Sequence, residues 1–234
     1  WPGAQDGTFY MCLILVAWKQ HAVFPLVVAA NRDELHARPA ARAGFWKDEP
    51  DILGGRDLEA KGTWLGVSRS GRFAAVTNYR GGRDENARQS RGALVTHFLL
   101  GNSSSKVFTE TAEESKNSFS GFNLLVADRD ELWWLSNRDG ARRKLAPGFY
   151  ALGNLLLDTP EVLEVKSRFE GTAKAIEPLF ALLASAKIVA PGYGTRCSTV
   201  LLAQEDGGMQ FAERPFDAAG ADGRTARYEF RRAA

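Results

Sequence analysis

Cysteine, methionine and histidine are scarce in this chain: two, two and three in 234 residues. Two cysteines exclude a disulfide-stapled scaffold and a cysteine zinc site. Reduced thiols and a cytoplasmic location are the expectation that follows. His21, His36 and His97 lie far apart without metal-ligand spacing, and no Ser-His-Asp arrangement can be argued from them. Charge of one sign is missing as well. Thirty Lys and Arg against 28 Asp and Glu leave a net charge of +2, too little to imply a nucleic-acid partner. The longest apolar runs, residues 12–18 and 23–30, fall far short of the roughly 20 residues a membrane span needs. Gly54-Gly55 and Gly81-Gly82 lack the phosphate-loop pattern. No cofactor is expected on these grounds.

What the chain does have is 44% hydrophobic residues, enough for one large core. Residues 1–10 (WPGAQDGTFY) have neither a basic start nor an apolar stretch, so they do not read as a signal peptide. They are expected to be a leader, tag remnant or propeptide, with a single domain over residues 11–234. Met11-Cys12 then opens an apolar run. A chain matured to Cys12 would carry a thiol and a free α-amine on one residue, a nucleophile with its own general base. While residues 1–11 remain attached, that amine does not exist and the site is expected to be inactive.

Residues 12–18 and 24–30 read as paired strands around Lys19-Gln20-His21. Residues 31–57 read as loop-rich. Residues 63–68 and 73–79 form a second hairpin around Arg69-Ser70-Gly71-Arg72, and 81–89 a polar surface loop. A helix is predicted over 90–100, capped by Ser90 and stopped by Gly101, and another within 102–117. Residues 122–128, 131–136, 142–145 and 149–152 look like an antiparallel meander. Thr159 and Pro160 start a further helix, and one over 173–186 should be kinked or split by Pro178. Strands at 198–204, 210–215 and 228–231 close the chain, with the basic stretch 224–232 as a solvated end. Segregated antiparallel strands and helices argue for an α+β fold, and apolar strands covered on both faces fit two sheets stacked between helix layers.

Asn31-Arg32-Asp33-Glu34 follows a buried-looking strand. It reads either as a solvated turn or as polar groups aimed into a cleft. Strand pairing would bring it beside Cys12, where an arginine favours thiolate and a carboxylate can hold an α-amine. Asn78 and Asn154 are each a turn former or an amide donor. Arg196 enters an apolar strand and should have a partner there, and Cys197 reads as a small buried residue.

These residues resemble the NRDE family, also called the transport and Golgi organisation family. The matches are Met11-Cys12, Asn31-Arg32-Asp33-Glu34, Gly62-Thr63-Trp64-Leu65-Gly66, Thr77-Asn78-Tyr79-Arg80, Ser90-Arg91-Gly92, Gly121-Phe122-Asn123-Leu124 and Tyr193-Gly194-Thr195-Arg196. They occur in order over nearly the whole chain. The family is similar to the N-terminal-nucleophile hydrolases, nearest the bile-salt hydrolase and penicillin V acylase group. The resemblance implies a four-layer αββα sandwich of two antiparallel sheets. It implies Cys12 as nucleophile, Asp33 orienting its α-amine and an arginine such as Arg32 stabilising the thiolate. Asn78 would help form the oxyanion hole, Asn154 would lie near the reacting carbonyl, and Arg196 would lie close to the cysteine. Leu152-Gly153-Asn154 stands where the family usually has Leu-Ser-Asn, and Asp158-Thr159-Pro160-Glu161-Val162 where Pro-Trp-Pro-Lys is common. Two functions follow from the resemblance. One is an amide hydrolase or acyl transferase acting on a small apolar acyl or amide substrate through a Cys12 acyl-enzyme. The other is a non-catalytic haem or lipid/acyl-CoA carrier on the same fold.

Overall fold

The computed structural model describes residues 12–81, 84, 87–140 and 142–233. The expected leader lies outside them.

The first hairpin joins β1 (Leu13–Trp18) to β2 (Leu26–Leu35), with register from Leu13 opposite Asn31 to Trp18 opposite Leu26. Both strands are apolar at successive positions because both faces are covered. Ile14, Val16, Leu26, Val28 and Ala30 face one hydrophobic cluster, whereas Leu13, Leu15, Ala17, Val27 and Ala29 face another. This is the period of two that a strand imposes. Sheet I adds β10 (Gly148–Leu152) outside β1, then β12 (Tyr193–Ala203), β13 (Gly208–Pro215) and β14 (Ala226–Arg231) beyond β2. The short β11 (Val189–Ala190) also pairs with β12.

Sheet II runs in chain order: β3 (Ala40–Phe45), β4 (Ile52–Asp57), β5 (Leu65–Ser68), β6 (Phe73–Asn78), β7 (Phe122–Ala127), β8 (Leu132–Ser136) and β9 (Arg143–Leu145). Every pairing in both sheets is antiparallel. Phe73, Ala75, Leu125 and Trp134 of sheet II pack against Ile14, Val28 and Phe211 of sheet I in the central layer. Helices α1 (Arg91–Leu100) and α2 (Ser105–Glu114) cover the outer face of sheet II. Helices α3 (Pro160–Gly171) and α4 (Ile176–Ala184) cover that of sheet I. The result is the expected α+β sandwich with helix layers outside two antiparallel sheets.

Several local expectations change. Residues 31–57 are not mainly loop: β2 continues through Asn31-Arg32-Asp33-Glu34 to Leu35, and β3 and β4 follow. The polar residues stay in the strand because β12 runs alongside them, with Asp33 opposite Thr195 and Asn31 opposite Ser198. Asn31 is fully satisfied in its buried position. Its Nδ2 donates to Leu183 O at 3.0 Å and its Oδ1 accepts from Ser198 Oγ at 2.6 Å.

Residues 148–152 are not the last strand of a meander. They cross to sheet I and pair with β1, Ile14 opposite Leu152, which covers an edge that is apolar on both faces. Pro178 neither kinks nor splits a helix, because α4 begins only at Ile176. In the first turn its missing N–H costs no intrahelical bond. The basic stretch near the C-terminus is a paired strand, not a free end: Tyr228 and Phe230 of β14 stack edge-on against Phe45. Ser90 occupies the N-cap of α1 without a side-chain bond, whereas Ser104 Oγ caps α2 by accepting from Val107 N at 3.3 Å.

Gly62 and Gly92 have a shared reason for being glycine. A Cβ on Gly62 would lie 2.7 Å from the Gly92 carbonyl carbon, so the start of α1 seats directly on the β4–β5 connection.

Candidate active site

The site forms where β2 outruns β1. Strand β1 begins opposite Asn31, so beyond that point the β1-side lane of β2 is open. Cys12 occupies it. Its Sγ accepts from Asp33 N and donates to Asp33 O, both at 3.4 Å. Its backbone N–H donates to Asn154 Oδ1 at 2.9 Å. The residue is 9% exposed. Burial pushes the thiol up to about 12; the Asp33 charge adds to the rise, and Arg32 and the Asp33 backbone bond oppose it. In this state Cys12 is a neutral thiol.

Asp33 lies on the helix-facing row of β2, continuing Ala29 and Asn31. Its Oδ1 accepts from Thr195 Oγ1 at 2.6 Å, and Thr195 Oγ1 in turn accepts from Ile188 N at 2.8 Å. Its Oδ2 is buried with no hydrogen-bond partner among the described residues. Burial raises this carboxyl to about 7, against the opposing Thr195 bond and Arg32 charge. A carboxyl with one oxygen fixed and one unused is set up to receive a cation beside the thiol.

Arg32 lies on the opposite row and is 9% exposed. It faces Glu34 Oε2 at 3.8 Å and Asp57 Oδ2 at 3.9 Å, and Arg38 Nε completes the group by donating to Asp57 Oδ2 at 2.7 Å. Arg196 is the extra residue of a β-bulge between Thr195 and Cys197. Its Nη1 donates to Leu35 O at 2.7 Å and Arg38 O at 3.1 Å, so its partners are carbonyls at the end of β2. Burial and the nearby Arg32 charge lower its pKa. Cys197 pairs across from Arg32 on the other side of β2 from Cys12. It is buried, and burial together with Glu213 raises its thiol well above the ordinary value.

Asn154 joins the two sheets. One end of its amide accepts from Cys12, and Nδ2 donates to Asn78 O at 2.6 Å. Asn78 ends β6 and offers Asn154 its backbone carbonyl rather than its side chain. The structure thus brings together Cys12, Asp33 and Asn154, with Asn78 one bond further, while Arg32 and Arg196 hold the flank of β2. Reasoning from sequence passed over Thr195 and Asn123. Both are polar residues inside buried strands, and each lies in a matched tetrapeptide; that was the available signal. Among the described residues no cluster of His, Cys, Asp and Glu could hold a metal ion.

The Transport and Golgi organisation 2 family model matches residues 11–186. The chain belongs to that family. The Transport and Golgi organization protein 2 homolog of Bos taurus is 32% identical over 256 residues, covering 87% of this chain and 92% of the relative. The Homo sapiens homolog is 31% identical over 255 residues with the same coverage. Among solved structures, the Caenorhabditis elegans N-acylethanolamine-hydrolyzing acid amidase (NAAA) ortholog superposes with a TM-score of 0.57 at 11% identity, over 82% of this chain and 92% of that one. At that identity the likeness concerns the fold alone: this Transport and Golgi organisation 2 family member shares the sandwich of two antiparallel sheets between helix layers with that protein. No helix among the described residues is long and apolar enough to cross a membrane.

Proposed function

We propose that this chain, once Cys12 is its first residue, is a cysteine amide hydrolase or acyl transferase acting on a small apolar N-acyl substrate. The observation that carries the proposal is the double hold on Cys12. Asn154 grips its nitrogen and the Asp33 backbone grips its sulfur, while Asp33 Oδ2 is left unused.

Release of the preceding residue converts the Cys12 amide into an amine. Asp33 Oδ2 then offers the oxygen that orients it. The amine takes the thiol proton as Sγ attacks the substrate carbonyl, giving a tetrahedral oxyanion. On this reading the Asn154 amide, joined by the Asn78 side chain that the resemblance assigns to the oxyanion hole, stabilises that charge. Collapse breaks the C–N bond, the departing amine takes up the proton, and a Cys12 thioester remains. Water or another acceptor, deprotonated by the α-amine, releases the acyl group. The fold neighbour's N-acylethanolamine chemistry is consistent with an N-acyl amide class. Exposed Leu35 and Val189, on β2 and β11 beside the β12 entry, offer apolar surface near the site.

The test uses the chain beginning at Cys12, incubated with N-dodecanoyl p-nitroanilide. A mass increase of one dodecanoyl group on Cys12, with release of p-nitroaniline, supports the proposal. A processed, folded chain that gains no adduct and releases no aniline overturns it.

One observation favours a second function. With its nitrogen in an amide and burial pushing its thiol up to about 12, Cys12 of the unprocessed chain lacks the activated nucleophile that the first function needs. A lipid, acyl-CoA or haem carrier fits the transport in the family's description. Haemin titration is the direct test: a Soret shift that disappears on His→Ala substitution supports haem carriage, and an unshifted band removes it. Two free thiols accord with a cytoplasmic location, which cell fractionation checks.

A further inference from the structure

Packing does not explain Asn123. It lies in β7, whose six residues are all buried, on the inter-sheet row with Leu125 and Ala127. Its side chain is fully buried, and Oδ1 has no hydrogen-bond partner among the described residues. A buried acceptor left without a partner is unfavourable, and a leucine there would avoid it. What the amide does accomplish is on its other atom. Nδ2 donates to Leu155 O at 2.7 Å and, more weakly, to Thr77 Oγ1 at 3.3 Å.

Leu155 directly follows Asn154. The segment leaving β10 is held at its ends by other bonds. Arg80 N donates to Asn154 O at 2.6 Å. Asp158, at a positive φ of 58°, exchanges bonds with Ala151, accepting from its N–H at 2.9 Å and donating its own to Ala151 O at 2.8 Å. Asn123 supports the segment from the interior of sheet II, one residue from the amide that grips Cys12.

We infer that Asn123 is a positioning residue for Asn154: by holding the Leu155 carbonyl it fixes the angle at which the Asn154 amide meets the Cys12 nitrogen. This rests on Cys12 acting as an acyl-forming nucleophile. An amide tilted by a fraction of an ångström would still permit binding but would misalign the attacking group.

Asn123→Leu and Asn123→Asp, both in the chain beginning at Cys12, test it with N-dodecanoyl p-nitroanilide. Asn123→Leu should lower kcat about 10²-fold with KM little changed. Asn123→Asp supplies a proton donor to Leu155 O only while its carboxyl is neutral. The variant-to-parent ratio of kcat should therefore rise as pH falls. Thr77 and Ser136, its neighbours on β6 and β8, do not ionise. Among the described residues, the ionisable residues bonded to the held segment include Cys12 and Arg80, through their backbone N–H groups, and Asp158, with Lys166 paired to Asp158. All are common to variant and parent. Unchanged kcat in Asn123→Leu, or a flat ratio in Asn123→Asp, overturns the inference. Hydrogen exchange at the Arg80 amide separates this from failure of the proposed function. Should the parent show no turnover, faster exchange in Asn123→Leu still supports positioning, and parent-like exchange removes it.

Discussion

Asn154 accepts a hydrogen bond from the Cys12 backbone N–H at 2.9 Å and donates one to Asn78 O at 2.6 Å, so one amide ties the thiol-bearing start of sheet I to the end of β6 in sheet II. A residue with both amide ends committed across two sheets has little freedom to reorient. Asn154→Ala in the chain beginning at Cys12 should lower kcat by about 10²-fold or more, in line with loss of a preorganised donor. Steady-state kinetics with the p-nitroanilide check it; wild-type kcat would show that the amide does not serve the reaction.

The two cysteines should behave differently although both are buried. Cys12→Ala should abolish acylation of the processed chain, whereas Cys197→Ala should leave it intact. Intact-mass spectrometry after brief exposure to the acyl probe reads both variants. An adduct that survives in Cys12→Ala would move the nucleophile elsewhere.

Acid should stabilise the unprocessed chain. Asp33 holds its proton up to about pH 7 when folded, but its carboxyl ionises near 3.8 when free. Between those values the folded state binds the extra proton, so stability falls as pH rises from about 4 to about 7, then levels. Buried Glu213 is shifted in the same direction. Urea midpoints across this range should decline, and Asp33→Asn should flatten part of the decline. In the chain beginning at Cys12 the α-ammonium would hold Asp33 ionised, and the slope should shrink there too. An identical slope in Asp33→Asn would assign the effect to other groups.

Removing the processing step should silence the site. The full chain, with Cys12 nitrogen in an amide, should release no p-nitroaniline, and the chain beginning at Cys12 should. Equal rates from both would mean that the α-amine is not the base.

Glycine contacts give a stability test away from the chemistry. Gly62→Ala would push a Cβ to 2.7 Å from Gly92 and should destabilise by about 1–3 kcal/mol. Gly171, in the last turn of α3, has nothing within 4 Å of an added Cβ, and Gly171→Ala should stabilise by up to about 1 kcal/mol. Thermal denaturation of both variants decides.

Local pattern made much of the fold legible. Apolar runs near residues 12–18 and 24–30 pair as read, and Gly101 ends α1. Cys12 and Asp33 stood out as candidates through their motifs, whereas Asn154 came only from the resemblance, at a position where the motif departs. The β2 extension was hidden because Arg32, Asp33 and Glu34 have the composition of a turn. Only β12, more than 150 residues later in the sequence, satisfies that stretch as strand. The transfer of β10 to sheet I was equally hidden, since short strands after turns carry no mark of which partner they take.

The sequence by itself determined the class of this protein: strand and helix periods, two faces to each strand, and a cysteine at the head of the first apolar run. Tertiary structure alone decided what surrounds that cysteine. Arg196 spends its guanidinium on carbonyls, Asp33 keeps one oxygen free, and Asn123 reaches across to the Asn154 segment. Periodicity is a local property of backbone geometry, so it can be read along the chain. Hydrogen-bond partners this far apart along the chain, 32 residues for Asn123 and Leu155 and 161 for Arg196 and Leu35, are set by how the sheets stack, and no stretch of sequence records that.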